Sequence, residues 1–533
     1  MSAPVLMVQG TASSVGKSVI TAGFCRILRR RGLRVAPFKA QNMSLNAAVT
    51  LDDGEIGRST AVQAAAAGVE PTVEMNPILL KPEADARSQV IVRGKVWGTQ
   101  RARDYFERKL DFWPIVTEAL DHLRDTYDVI VAEGAGSPAE MNLRDRDIVN
   151  MRVACYANAA VVLVGDIDRG GVFAQLIGTL DLLPPEERRL VRGLIVNRFR
   201  GDPALFVDGV RFLEERTSRP VFGVIPAVRD LALAEEDSAT LDRPRSSDLS
   251  RKSRALLRIA VIRFPRIANF DDFGPLERLD GVSLSYVDRP DHLVGVDLVI
   301  LPGSKSTIAD LEFVQERGLA EAIRAAHRRE VPIIGICGGY QMLGSFIDDP
   351  ERIESPTGGA PGLGLLLHRT VFAPEKQTSR VRARLTGRIG PFAASRGIEI
   401  DGYEIHAGRT SAEAAGTSAP LSIIARGGKT VDEPEGMLSD DGLVFGTYLH
   451  GLFDNVTIQQ SLIAWLRARG SKKQGQGQWS QDAPSPAPAS SSDVLHVQTL
   501  DPCDRWADIL EAALDVPLLL DRCGLTDLRA GGG

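Results

Sequence analysis

Cysteine is scarce in this chain: five in 533 residues, at 25, 155, 337, 503 and 523, and none of them in a CxxC pair. That spacing offers no structural zinc site and no disulfide framework, and the odd count fits a reducing compartment. Long apolar runs are missing too. No stretch reaches the length of about 18 residues that a membrane span needs. The N-terminal MSAPVLMVQG has neither a basic leader nor a cleavage site, so a signal peptide is not expected and a cytoplasmic location is. Positive charge is not in excess. Lys and Arg number 63 against 69 Asp and Glu, a formal net charge of -6. A general nucleic-acid binder neutralises phosphates with clustered Lys and Arg, so no nucleic-acid partner is expected.

What the chain does contain is two stretches of alternating short apolar runs and helical patterns. The first spans residues 1–233, with VLMVQG, DVIVAEGAG, AAVVLVGDID and VRGLIVNRF reading as buried parallel strands. The second spans 257–469, through LLRIAVIRF, VDLVILPGS and VPIIGICGGY to a closing helix over 456–469. Both predict an α/β domain with helices on the faces of a parallel sheet. Residues 234–256, acidic and then Ser- and Arg-rich, read as a mobile linker. Residues 470–495, a Gln/Gly/Ser/Pro/Ala tract, cannot bury a core and read as a disordered insertion. Residues 496–533 carry one more helical pattern, in which Trp506, Ile509, Leu510, Ala513 and Leu514 share a face expected to dock back on the enzyme, with a partner-binding helix as the alternative.

The first strand runs into Gly10-Thr11-Ala12-Ser13-Ser14-Val15-Gly16-Lys17-Ser18 and then a helix. A glycine-rich turn at a helix start aims backbone N–H groups at phosphate, Lys17 reaches the outer phosphates, and the Ser18 hydroxyl ligates Mg²⁺. Five residues rather than the usual four separate Gly10 from Gly16. Glu133 ends a strand where ligands gather in open α/β sheets, which makes it the second Mg²⁺ ligand. Asp166 and Asp168 end another strand, where they are expected either to face the same crevice or to sit in a solvated turn.

In the second domain the strand VPIIGI is followed at once by Cys337 and then by GGYQMLG. A nucleophile on a sharp strand-to-helix turn is exposed, and a helix start favours its thiolate. His450, at the end of GLVFGTYLH, is the expected base, with His406 second. Gly303, at the end of VDLVILP, and Gly338 are the expected oxyanion donors through their backbone N–H groups.

Taken together, LPGSKST, GICGGYQMLG and GTYLHGLF resemble class I glutamine amidotransferases. Many members carry an acidic residue two positions after the base, where this chain has Leu452. The reading is therefore a Cys337–His450 dyad, with Glu404 a candidate to orient His450. The loop GTASSVGKS and the segment EGAGS resemble dethiobiotin synthetase, and that resemblance implies Asn197 and Arg198 near the adenine of ATP. Relatives of the ParA and MinD type carry a second lysine five residues before the loop lysine; here that position is Ala12.

PFKAQNMSLNA, GDIDRGGVFAQLIGTL, ANFDDFGPLE, GYEIHAGRT and GTYLHGLFDN narrow the resemblance to the cobyric acid synthase family, over residues 1–469. That resemblance implies ATP- and glutamine-dependent amidation of the b, d, e and g carboxylates of adenosylcobyrinic acid a,c-diamide. The partners are then glutamine and a corrinoid polycarboxylate. Cobyrinic acid a,c-diamide synthase is the alternative within the same class. Asn42, Ser44 and Asn46 are candidates for contact with the corrin.

Overall fold

A computed structural model describes residues 2–83, 86–228, 231, 257–355, 357–413, 419–474, 501–526 and 528. The expected linker over 234–256 lies outside the described residues. By internal contacts the chain forms two compact units: 1–243 with 378–380 and 502–533, and 244–377 with 381–501.

The first unit is built on six parallel strands: β1 (Val5–Gly10), β2 (Val35–Phe38), β3 (Val129–Glu133), β4 (Ala160–Asp166), β5 (Val191–Phe199) and β6 (Val221–Pro226). Their spatial order is β6-β5-β4-β1-β3-β2. β1, β3 and β4 are buried at every position, because helices cover both faces of a parallel sheet. The period of two is still visible in the packing. Val5 and Met7 belong to one core and Leu6 and Val8 to the other. Register sets Val8 of β1 beside Glu133 of β3, so the acid at the end of β3 stands next to the loop that leaves β1. That loop feeds α1 (Lys17–Arg30). A smaller sheet of Gln41–Met43, Ile78–Pro82, Arg87–Val92 and Lys95–Arg101 is inserted between β2 and β3.

The second unit holds β7 (Leu257–Ile262), β8 (Val282–Val287), β9 (Leu298–Leu301), β10 (Ile333–Ile336), β11 (Met437–Leu438) and β12 (Val444–Thr447), in the order β8-β7-β9-β10-β12-β11. All pairs are parallel except β11 with β12. α2 (Thr307–Glu316) and α3 (Gly338–Leu343) follow β9 and β10. The helix expected to end at Arg469 continues as Val456–Gln474, so the low-complexity tract begins inside it; residues 475–495 lie outside the described residues.

The C-terminal segment is two helices rather than the single one expected: α4 (Pro502–Ala513) and α5 (Val516–Arg522). Pro517 explains the break. It lacks an amide hydrogen and disfavours helical geometry in the residue before it, so it sits in the first turn of a new helix. Asp515 caps that helix, its carboxylate accepting from the Leu518 amide at 3.0 Å. The expected face is present. Trp506, Leu510 and Leu514 are buried in the core of the first unit against α1.

Candidate active sites

Gly16, with φ of +100°, starts α1, and a Cβ there would come within 2.2 Å of the Asn197 amide nitrogen. Only glycine meets both conditions. Lys17 Nζ donates to the Ala12 and Gly136 carbonyls, both at 2.9 Å, and so spans the loop and the segment after β3. The Ser18 hydroxyl donates to Glu133 Oε1 at 2.7 Å. Gln63 Nε2 donates to Glu133 Oε2 at 2.6 Å, and Lys39 Nζ stands 3.0 Å from Oε1. Burial by itself would raise the Glu133 carboxyl. Lys39, Gln63, Ser18 and Lys17 outweigh it and hold the group below the usual carboxylate range. Mg²⁺ takes one or two protein oxygens and completes its shell from phosphate and water, a demand that the adjoining oxygens of Ser18 and Glu133 fit.

These groups open on a cavity of about 840 Å³ lined by Gly16, Lys17, Ser18, Glu133 and Arg198, among others. Other expected residues lie behind the loop instead. Asn197 donates to the Val15 carbonyl at 2.7 Å, and Arg198 donates to the Ser14 carbonyl and Asp166, each at 2.8 Å. The Thr11 amide is bonded to the Val164 carbonyl, and its hydroxyl donates to Gln175. A Cβ at Gly10 would strike Val15. Gly10, Thr11 and Asn197 thus shape the loop from within, and Arg198 both braces it and lines the cavity. Asp166 and Asp168 are paired with Arg198 and Arg200. Of the candidates for corrin contact, Asn42 lines the cavity, whereas Ser44 and Asn46 bond to each other.

In the second unit Cys337 has φ of +52° and ψ of −110°, a conformation that L side chains rarely adopt. Its amide is held by the Thr447 carbonyl at 2.8 Å. A turn this tight needs small neighbours: a Cβ on Gly339 would lie 2.0 Å from the Leu301 carbonyl oxygen. Such strain persists only where the surroundings enforce it, and it clusters at functional sites. His450 is buried, and so is Cys337 rather than exposed as expected; the thiol donates to the Ile405 carbonyl at 3.5 Å and acts electrostatically on the imidazole. Its Nδ1 lies 2.7 Å from Asp272 Oδ2, and Asn269 Nδ2 lies 3.3 Å from its Nε2. The Tyr403 ring stacks on the imidazole at 5.2 Å. Burial alone would lower the His450 pKa; Asp272 and then Cys337 reverse that and carry it up to about 10.

The orienting acid is therefore Asp272, and this corrects the expectation of Glu404. Glu404 is buried, but its carboxylate is bonded to Arg426 at 3.0 Å. The dyad reading is likewise extended to Cys337–His450–Asp272. His406 is not at the thiol's service: its Nδ1 lies 2.8 Å from the Gly408 carbonyl oxygen, its ring stacks on Tyr448, and burial pushes it down to about 4. Asp272, Asn269 and Tyr403 escaped the sequence reading, although ANFDDFG offers two adjacent acids after a strand. Gly303 pairs with Ala268 in a short ladder beside the His450 ring, and the backbone nitrogen nearest a Cβ on Gly338 is that of Ser304.

Comparison with known proteins agrees with this pairing of sites. Residues 6–241 match the family described as the CobQ/CobB/MinD/ParA nucleotide binding domain, and residues 258–458 the CobB/CobQ-like glutamine amidotransferase domain. The cobyric acid synthase of Chloroflexus aurantiacus is 52% identical over 522 residues, covering 98% of this chain and 99% of that one. That of Chloroflexus aggregans is 57% identical over 470 residues, 88% of this chain and 92% of that one. That of Sorangium cellulosum is 49% identical over 539 residues, 99% and 100%. Fold and sites together define an ATP-binding glutamine amidotransferase with a P-loop parallel-sheet domain and a class I amidotransferase-like domain. Within that class the chain belongs to the cobyric acid synthase family, enzymes of cobalamin biosynthesis. None of its described helices is long and apolar enough to cross a membrane.

Proposed function

We propose that the chain converts adenosylcobyrinic acid a,c-diamide to adenosylcobyric acid, amidating the b, d, e and g carboxylates with one ATP and one glutamine each. The observation that carries this reading is the coexistence, in one chain, of the Lys17–Ser18–Glu133 constellation and the Cys337–His450–Asp272 constellation. Near-full-length likeness to cobyric acid synthases supplies the substrate.

The chemistry needs both. A carboxylate is a poor electrophile, so a substrate carboxylate oxygen first attacks the γ-phosphorus of ATP; ADP leaves and an acyl phosphate forms. Lys17 and the N–H groups at the start of α1 stabilise the charge on the transferring phosphoryl group. Ser18 and Glu133 would hold Mg²⁺, which neutralises phosphate charge when bound. Ammonia then attacks the acyl carbon and phosphate departs. The ammonia comes from glutamine. The Cys337 thiolate attacks the amide carbon, and Gly338 with the Gly303–Ser304 strand donates N–H groups to the oxyanion. The charged His450 gives its proton to the departing nitrogen, leaving a thioester. The neutral imidazole then takes a proton from water, hydroxide cleaves the thioester, and glutamate leaves with thiolate and imidazolium restored. Asp272 keeps the ring in register throughout.

The test is the corrinoid product spectrum by mass spectrometry, wild type beside Cys337→Ala. Four successive OH-to-NH₂ exchanges are expected for wild type with ATP and glutamine, and for Cys337→Ala only with added ammonium. Wild type that hydrolyses glutamine but leaves this corrinoid unchanged would remove the substrate assignment.

A further inference from the structure

Six cationic side chains line the cavity of the first unit, and five of them are engaged. Lys17 is bonded to the Ala12 and Gly136 carbonyls, Lys39 to Glu133, Arg144 to Glu187 and Arg198 to Asp166. Arg152 lies over the Trp113 ring. The sixth, Lys109, starts the short 3₁₀ turn Lys109–Phe112 that follows the helix Ala102–Arg108 after the inserted sheet, and the residue is partly buried. Among the described residues no hydrogen bond or ion pair reaches it.

The acids that act on Lys109 at longer range, Asp147 and Glu140, are occupied with the backbone. Asp147 accepts from the amides of Val149 and Asn150, and Glu140 from that of Ser137 at 3.0 Å. A partly buried lysine without an anionic partner is costly to keep charged unless a ligand supplies the anion. The same cavity also has an apolar wall, since Met43 and Leu143 line it while 56% and 37% exposed. The combination suits a large ring with an apolar face and a rim of carboxylates.

We propose that Lys109 is a substrate-binding residue that holds a carboxylate of the corrinoid other than the one reacting at the phosphate loop, with Met43 and Leu143 against the macrocycle. This rests on the functional reading above. A substrate amidated at several positions must present each in turn to one γ-phosphate. Its remaining carboxylates then need partners elsewhere in the cavity, and a flexible point charge such as lysine serves successive poses.

The experiment is steady-state kinetics of the full chain with adenosylcobyrinic acid a,c-diamide, comparing wild type, Lys109→Met and Lys109→Arg. Loss of one charge-assisted hydrogen bond predicts a KM for the corrinoid raised about tenfold to hundredfold in Lys109→Met. KM for ATP, KM for glutamine and the melting temperature are expected to stay put, and Lys109→Arg to recover most of the loss. If Lys109→Met turns over too slowly to assay, equilibrium binding of the same corrinoid, followed by its absorbance, reads the same weakening. A rise in KM for ATP with corrinoid affinity unchanged, or a fall in melting temperature that arginine does not rescue, would overturn the proposal. Wild-type turnover runs alongside. If wild type does not amidate this corrinoid, the functional reading fails and the inference with it; if it does, and Lys109→Met matches it, only the inference fails.

Discussion

Asp272 is the residue on which the glutamine site turns. It lies 178 positions before His450 in the chain, yet one carboxylate oxygen meets His450 Nδ1 at 2.7 Å and the other accepts from the Gly451 amide at 3.1 Å. Replacing it with asparagine keeps the shape and loses the charge. We expect Asp272→Asn to lower glutamine hydrolysis by on the order of 10³–10⁴-fold, by analogy with the loss of a triad acid. Ammonium-driven amidation should be untouched, and glutamate release measured beside amide formation separates the two. The pair also predicts a pH signature. His450 is raised in the folded chain from 6.5 to about 10, so its contribution to stability is full below about pH 6.5 and disappears as the pH climbs towards 10. The gap in unfolding midpoint between wild type and Asp272→Asn should therefore be wide near pH 6 and narrow steadily above it. A gap that widens with pH would contradict the assignment. Cys337 and His450, the proposed nucleophile and base, stood out in the sequence because each sits at a strand end with telling neighbours. The acid was not, because long-range pairing leaves no local spacing to read, and the usual place for an acid is taken by Leu452.

At the level of elements, the phosphate loop and the cysteine turn could be read because each is one continuous strand–turn–helix whose glycines have a local steric reason. The end of the chain could be read only in part. The apolar stripe of α4 was visible, but not its target, which is the α1 face beneath the phosphate loop. Trp506 Nε1 donates to the Val19 carbonyl at 2.6 Å, and a Cβ on Gly23 would lie 2.2 Å from Leu510. Arg30 adds ion pairs to Asp504 and Asp508 at the rim. Burial decides which contact matters. Trp506→Ala removes a fully packed indole and is expected to cost about 3–5 kcal/mol. Arg30→Ala breaks partly exposed pairs and should cost no more than about 1 kcal/mol. Urea unfolding of the full chain gives both numbers, and a larger effect from Arg30 would mean that charge rather than packing holds the helix. Because α1 carries Lys17 and Ser18 at its start, Trp506→Ala should also weaken ATP binding, whereas Arg30→Ala should not.

The whole molecule divides its chemistry as it divides its contacts. The residues proposed for phosphoryl transfer all fall in one unit and those proposed for glutamine hydrolysis in the other. The alternation of strands and helices predicted both sheets. It could not predict that the last helices return to the first unit, since that depends on the complementarity of faces nearly 500 residues apart. The division has a kinetic consequence that depends on the nitrogen source. Lys17→Ala removes the group proposed to steady the transferring phosphoryl, so it should abolish amidation with glutamine and with ammonium alike, while glutamate release persists. Cys337→Ala should lose only the glutamine-driven route. Its ammonium-driven rate should climb with pH, because only the unprotonated amine attacks an acyl phosphate and that fraction grows as ammonium titrates. Wild type supplied with glutamine makes ammonia on site and should not follow that climb. Amide formation measured from pH 6.5 to 9 with each nitrogen source distinguishes the cases. Parallel profiles for wild type with glutamine and Cys337→Ala with ammonium would mean that ammonia from Cys337 equilibrates with solvent before it reacts.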